Sequence, residues 1–150
     1  MKANTRLFGE IDIDDSKIIK LKEGIIGFPE LQNFTLIYDE EKENQGRIKW
    51  LQSMDDPTFA MPVINPLDIK PDYNPVVNEE GLKSLGAMPA ESAFILVTIT
   101  VPKEIEKMSV NLKAPFIINM ENLHGVQMIV EDDYPVKYMI YDILNKKAGE

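Results

Sequence analysis

Residues 50–66 read WLQSMDDPTFAMPVINP, and the rest of the chain is organised around this stretch. It holds the only tryptophan and three prolines, and an Asp-Asp-Pro turn separates its two apolar runs. Proline fixes its own φ at about −65° and pushes the residue before it out of helical geometry, so Pro57 makes a stiff corner. The stretch therefore predicts two strands, Ile48–Gln52 entering the corner and Phe59–Ile64 leaving it.

The side chains of the corner have different expected roles. A turn carboxylate readily accepts backbone N–H bonds, and we assign this role within the turn to Asp55. Asp56 and Phe59 are then expected at the surface. Pro62 interrupts the second strand and cannot donate to a ladder, so we expect it on an edge or at a bulge and not in the middle of a sheet.

Upstream of the corner, polar and apolar residues alternate in short runs. The runs Glu10–Ile13 and Ile18–Lys22 have a period of two, and Asp14–Ser16 between them predicts a hairpin turn. Phe34–Tyr38 is rich in β-forming residues and predicts a third strand. Asp39–Gly46 is too polar to bury, and we expect a solvated hairpin tip there.

Downstream, prolines and one helix signal come before further strands. Residues 65–77 contain three prolines and predict a short strand or an extended arm across the surface. Asn78 can cap a short helix over Glu79–Leu85, which Gly86 would end. The run Phe94–Val101 is apolar on both faces in its first half and predicts a central strand.

The last third of the chain predicts three more strands and a tail. The expected strands are Met108–Leu112, Phe116–Asn119 and Val126–Val130. Residues 138–144 are expected to form a strand or a docking helix, and residues 145–150 to fray.

These elements predict the fold class and the core. The 150 residues, 44% of them hydrophobic, suit a single domain over residues 1–150. Many short strands with frequent turns indicate a mostly antiparallel barrel or sandwich. We predict a mostly β fold, an antiparallel or mixed barrel-like sheet with one or two short helices. We assign six residues to its core: Phe28, Trp50, Ile95, Val97, Ile117 and Ile129.

The charge balance favours some partners over others. The chain has 16 basic and 25 acidic residues, for a net charge of −9 and a pI of about 4.7. Such a surface repels phosphate backbones, so direct nucleic-acid binding is disfavoured and a basic protein partner is favoured. The sequence has no cysteine, no signal-peptide core and no apolar run of about 18–20 residues, so we expect a cytoplasmic protein that does not enter a membrane.

The sequence contains few residues that could carry chemistry. His124 is the only histidine, and we expect it in an exposed turn. Adjacent carboxylates at 14–15, 55–56 and 132–133 are typical of solvated turns. We therefore predict no catalytic residue, no cofactor and no metal site; a small-molecule-binding barrel or an enzyme using a carboxylate pair stays as the alternative.

Four motifs, in order along nearly the whole chain, resemble those of the bacterial flagellar assembly factor FliW family. They are the Trp-Leu-Gln-Ser to Pro stretch over residues 50–66, the glycine-containing loop at 23–31, the Asn-Leu-x-Ala-Pro strand pair at 111–119 and Gly-Val-Gln at 125–127. Two positions depart from the family pattern. Asn65 stands where the pattern has an aspartate, and residues 137–139 differ from the usual ending of the last motif.

The resemblance implies a protein without enzymatic activity that exchanges protein partners. It implies binding to CsrA, a basic RNA-binding translational repressor. CsrA bound in this way would release the flagellin message. It also implies binding to newly made flagellin, which would free CsrA again. A dedicated flagellin chaperone without a regulatory role is the alternative.

We predict seven residues as partner contacts, with turn formation or core packing as the other interpretation for each. They are Asp55, Asp56, Phe59, Asn65, Asp72, Tyr73 and Asn119.

Overall fold

The computed structural model describes residues 1–37, 48–86 and 90–148. The strands in these ranges are β1 (Lys2–Thr5), β2 (Gly9–Asp12), β3 (Ile19–Leu21), β4 (Asn33–Ile37), β5 (Lys49–Ser53), β6 (Ala60–Ile64), β7 (Ala93–Thr100), β8 (Ser109–Val110), β9 (Phe116–Asn119), β10 (His124–Gln127) and β11 (Tyr138–Met139). The helices are α1 (Glu79–Leu82) and α2 (Tyr141–Ala148). The predicted tip at Asp39–Gly46 lies outside the described residues.

Seven strands form a closed barrel in the order β7-β6-β5-β4-β3-β10-β9, with β9 pairing back onto β7. All of these pairs are antiparallel except β3 with β10. The long strand β7 closes the ring because it pairs with β9 through Ala93–Leu96 and with β6 through Val97 and Thr98. The predicted mostly β, barrel-like fold is confirmed.

The core lies in two main clusters. Inward side chains of the barrel strands fill its interior: Ile19, Leu21, Phe34, Leu51, Val63, Leu96, Phe116 and Ile118. A second cluster lies where β8, β11 and α2 pack beside β7: Ile64, Val97, Ile99, Val110, Leu112 and Ile140.

The predicted N-terminal hairpin is wrong in its partners. Asp14 caps a short 3-10 turn by accepting from the Ser16 amide, but β2 pairs with β1 instead of with β3. The reason is burial: Ile19 and Leu21 of β3 enter the barrel, where β3 pairs with β4 and β10. The β1–β2 hairpin stands apart as a two-stranded sheet.

The expectation of an edge position for Pro62 is also wrong, because β6 lies between β5 and β7. Its ladder with β7 covers only Val63 and Ile64. Pro62 therefore sits just beyond that ladder, where its missing N–H breaks no pairing with β7.

The core assignments divide three ways. Val97 and Ile117 are buried as predicted, and Trp50 and Ile95 are partly buried. Phe28 is 45% exposed, because its loop stands outside the strands. Ile129 is 65% exposed. It lies in the extended run after β10, where the residues on each side of it pair with the chain before β9, and its own side chain points the other way.

Several connecting segments also differ from the sequence prediction. Residues 65–77 contain a 3-10 turn, Pro66–Asp68, and no strand. The strand expected over Val126–Val130 begins at His124, which is half-buried and not in an exposed turn. Asn78 caps α1 as predicted. A 3-10 turn continues α1 to Gly86, which has φ of +75°.

The tail contains both of its predicted alternatives, a strand and a helix. Strand β11 pairs with β8, and α2 follows it directly. The helix includes residues 145–148, where we expected fraying, and residues 149 and 150 lie outside the described range.

Candidate protein-binding surface

The corner between β5 and β6 is fixed by two buried polar side chains. The Gln52 Nε2 lies 2.9 Å from the Ser53 carbonyl oxygen and 3.1 Å from those of Pro57 and Phe59. The Ser53 Oγ accepts from the backbone amides of Asp55 and Asp56 at 3.2 and 2.9 Å. Buried groups satisfied in this way hold the turn in one conformation.

Asp55 links the corner to the residues before β4. Its Oδ2 accepts from the amides of Gln32 and Asn33 at 2.7 and 2.8 Å, and its Oδ1 accepts from the Asn33 Nδ2 at 3.0 Å. Partial burial raises the pKa of Asp55, but the three hydrogen bonds from Asn33 and Gln32 outweigh burial, so the pKa lies below its usual value. The carboxylate is ionised at neutral pH.

The role we expected for Asp55 within the turn belongs to Asp56. The Asp56 Oδ1 accepts from the Thr58 amide at 3.1 Å and from the Thr58 Oγ1 at 2.7 Å. Sequence patterns cannot separate two adjacent turn carboxylates, because the distinction depends on where the chain at 32–33 returns.

Two exposed apolar residues lie in the loop over residues 23–31, and one of them contacts Phe59 of the corner. Phe28 is 45% and Ile26 is 52% exposed. The Phe28 ring lies 5.3 Å, between centroids, from that of the partly buried Phe59. We call the set Ile26, Phe28, Asp55, Asp56 and Phe59 the corner surface.

The loop that carries Ile26 and Phe28 has a fixed conformation. Gly24 has φ of +70°, and a Cβ there would lie 2.5 Å from the Pro29 Cα. The Ile26 amide donates to the Gln127 Oε1 at 2.8 Å. Sequence reasoning missed this patch because it placed Phe28 in the core; the two bracketing glycines were the available signal for a loop.

Three other predicted contacts, Asn65, Asp72 and Tyr73, lie in the segment after β6. Asn65 caps the 3-10 turn through the Leu67 amide, and the exposed Asp72 pairs with Lys70 at 3.1 Å. Tyr73 is 5% exposed, and its hydroxyl donates to the Leu112 carbonyl at 2.7 Å. Burial raises the pKa of the Tyr73 phenol, which stays protonated.

Asn119, the seventh predicted contact, is fully buried. Its Nδ2 donates to the Leu85 carbonyl at 2.9 Å, and its Oδ1 accepts from the Glu121 amide at 3.0 Å. Asn119 thus ties the turn after β9 to the end of the helical segment that begins with α1.

Within residues 1–37, 48–86 and 90–148, no group of three or more His, Cys, Asp or Glu side chains is placed to hold a metal ion. No helix in those ranges has the length and apolar character needed to cross a membrane.

Known proteins resemble this chain over nearly its full length. The family described as "FliW protein" matches residues 2–140. "Flagellar assembly factor FliW" of Lachnospira eligens is 44% identical over 99% of this chain and 100% of that protein. The protein of the same name from Thermotoga neapolitana is 36% identical over 97% of both.

A solved structure agrees with these sequence matches. "Crystal structure of the flagellar assembly factor FliW" superposes with a TM-score of 0.84 and 27% identity over 94% of this chain and 97% of that one. The family match, the relatives and the shared barrel all agree, and the chain therefore belongs to the FliW family, whose members carry the name flagellar assembly factor.

Proposed function

We propose that this protein is a non-enzymatic flagellar assembly factor that acts in the cytoplasm by exchanging two protein partners. One partner is CsrA, whose repression of flagellin mRNA it antagonises. The other is newly made flagellin. Flagellin that accumulates occupies the protein, and the released CsrA then represses further flagellin translation.

The observation that carries the proposal is the corner surface. It joins Phe28, which is 45% exposed and contacts the Phe59 ring, to a turn whose carboxylates, Asp55 and Asp56, are fixed by hydrogen bonds. Ile26, 52% exposed, lies in the same loop as Phe28. An apolar centre with a charged rim is the usual anatomy of a protein interface. The net charge of −9 adds attraction for a basic partner and repulsion for the RNA that such a partner carries.

The barrel interior argues against the small-molecule alternative. Phe34, Leu51, Leu96 and Phe116 are at most 1% exposed and belong to the cluster that fills the barrel. A ligand there would have to displace close-packed side chains. A small-molecule-binding barrel would be stabilised against heat by its ligand. We expect no metabolite to raise the unfolding temperature of this protein.

Calorimetric binding of purified CsrA and of flagellin tests the proposal. The double variant Ile26→Ser with Phe28→Ser removes the apolar centre of the corner surface while leaving the barrel intact. We expect at least one partner to bind it about tenfold more weakly than the unchanged protein.

The matched control is Val101→Ser with Met120→Ser, two apolar residues of similar exposure outside the corner surface. Unchanged affinity of both partners for the corner variant would remove this surface from the proposal. Binding of flagellin without any binding of CsrA would favour a dedicated flagellin chaperone.

A further inference from the structure

A second surface feature lies away from the corner surface. A groove of about 240 Å³ runs between residues 76–78, just before α1, and residues 128–131, just after β10. We call it the 76/129 groove. Its walls contain none of the residues that the sequence predicts as partner contacts.

The walls of the groove carry exposed apolar side chains. Val76 is 76% and Ile129 is 65% exposed, the two highest values among the large hydrophobic residues in the described ranges. Single exposed apolar side chains are ordinary on protein surfaces. Two of them on the walls of one groove form a patch of the kind that marks interaction sites.

The size of the groove limits its occupant. Sites for small molecules and cofactors usually measure about 300–1,000 Å³ and enclose most of the ligand. At about 240 Å³, the 76/129 groove is smaller than that range. It suits one or two apolar side chains presented by another protein.

Three backbone amides of the walls are hydrogen-bonded within the protein. The Val76 amide donates to the Asp132 Oδ1 at 2.9 Å, which ties one wall to the other. The amides of Met128 and Val130 donate to carbonyls at 115 and 113 at 3.0 and 2.9 Å. The groove therefore presents the apolar side chains of Val76 and Ile129 to its occupant, and an amphipathic helix places apolar anchors into a groove in this way.

The charge around the groove indicates which charge the helix should carry. Residues 76–80 and 128–133 contain five carboxyl side chains and no lysine or arginine. Lys113 adds one cation beside them, because its Nζ donates to the Asp132 carbonyl at 2.6 Å, and an excess of negative charge is left. The exposed Glu131 belongs to the wall itself. Glu80 pairs with Lys83 at 3.0 Å, but both side chains are more than 70% exposed, so this pair screens little of the negative charge.

We propose that the 76/129 groove binds an amphipathic helix of a partner protein that carries lysine or arginine beside its apolar face. One or two apolar side chains of the helix enter between Val76 and Ile129. Its basic side chains face the carboxylates around the groove, which attract them. This inference adds a second surface to the proposed function, and it does not depend on which protein carries the helix.

The test uses a synthetic probe and the full chain. The probe is an amphipathic peptide of about 14 residues, close to the shortest length that holds a helix in water, with leucines on one face and lysines on the other. One comparison peptide replaces lysine by glutamate, and a second has the same composition in a scrambled order. Fluorescence anisotropy gives the affinities, and ¹⁵N NMR shows which amides shift.

We expect the lysine peptide to bind and to shift amides at 76–78 and 128–131. Val76→Ser with Ile129→Ser should weaken its binding about tenfold. Val101→Ser with Val136→Ser, two exposed valines outside the groove, should leave it unchanged.

Three outcomes would overturn the inference: no binding of the lysine peptide, equal binding to the groove variant, or equal binding of the scrambled peptide. Binding of the glutamate peptide would overturn the charge argument. Because the probe is synthetic, failure of the groove and failure of CsrA or flagellin to bind are separate results.

Discussion

At the scale of single residues, Asp55 connects the corner to the chain before β4. Its carboxylate accepts three hydrogen bonds from two residues more than 20 positions away in sequence. Such contacts stabilise the fold and also fix the carboxylate in the corner surface. We therefore expect a substitution at Asp55 to lower stability as well as to affect the proposed partner binding.

We expect Asp55→Ala to lower the free energy of unfolding by about 1–2 kcal/mol, the lower part of the range for charged hydrogen bonds, because the group is exposed. Urea denaturation measures this change. Asp133→Ala, at another exposed aspartate, serves as the control and should change stability by less than about 0.5 kcal/mol. Equal effects of the two substitutions would contradict the role assigned to Asp55.

The stabilisation that the Asp55 carboxylate provides should depend on pH. The pKa of Asp55 is lower in the folded chain than its value of about 3.9 in an unfolded one. Its ionised form therefore stabilises the fold above about pH 4, and this contribution is lost as the pH falls through the folded-state pKa. The difference in unfolding free energy between the unchanged protein and Asp55→Ala should shrink below about pH 4. If this difference in unfolding free energy stays constant down to pH 2.5, the hydrogen bonds to Asp55 do not depend on ionisation of its carboxyl group.

At the scale of elements, the loop 23–31 presents the apolar half of the corner surface. Its shape depends on glycines with positive φ, +70° at Gly24 and +92° at Gly27. Only at Gly24 would a side chain also meet backbone, since a Cβ would lie within 2.6 Å of three Pro29 atoms. At Gly27 a Cβ would meet no atom within 4 Å.

We expect Gly27→Ala to cost about 1–2 kcal/mol from backbone strain alone. Gly24→Ala should cost more, because the chain at Pro29 must also move. Thermal or urea unfolding of the two variants measures the difference. Equal costs, or a larger cost at Gly27, would mean that the loop does not hold the close approach of Gly24 to Pro29.

The elements also show what local pattern could predict. Runs with strong β propensity gave β4 to β7 and β9 with small errors at their ends, and capping residues gave the short helix. The partner of each strand was harder, because β3 pairs with β10 about 100 residues away and no local signal contains that pairing. The alternation at 126–130 already placed Ile129 opposite its inward neighbours, so its exposure was predictable from the same pattern that located the strand.

The candidate surface was less predictable than the fold. The side chains of Tyr73 and Asn119 are buried and tie segments together, a role that depends on distant carbonyls at Leu112 and Leu85. Phe28 was assigned to the core because it is a large apolar residue, yet it lies in an outer loop. Burial of a single residue depends on how loops close over the barrel, and this is a property of the whole chain.

At the scale of the whole molecule, the excess of acidic residues predicts how binding responds to salt. The net charge of −9 attracts a basic partner over distances of about one Debye length, roughly 10 Å at 0.1 M salt. We expect the association rate with CsrA to fall about tenfold or more between 0.05 and 0.5 M NaCl, with a smaller change in the dissociation rate. Stopped-flow mixing measures both rates. A rate that does not depend on salt would remove electrostatic attraction from the proposal.

The proposed exchange of partners is tested most directly by titrating this protein into CsrA bound to labelled flagellin leader RNA, with and without flagellin. We expect the RNA to be released as the protein is added, and flagellin to restore the CsrA–RNA complex. RNA that stays bound to CsrA at every ratio, while flagellin still binds this protein, would contradict the regulatory role and leave a flagellin chaperone.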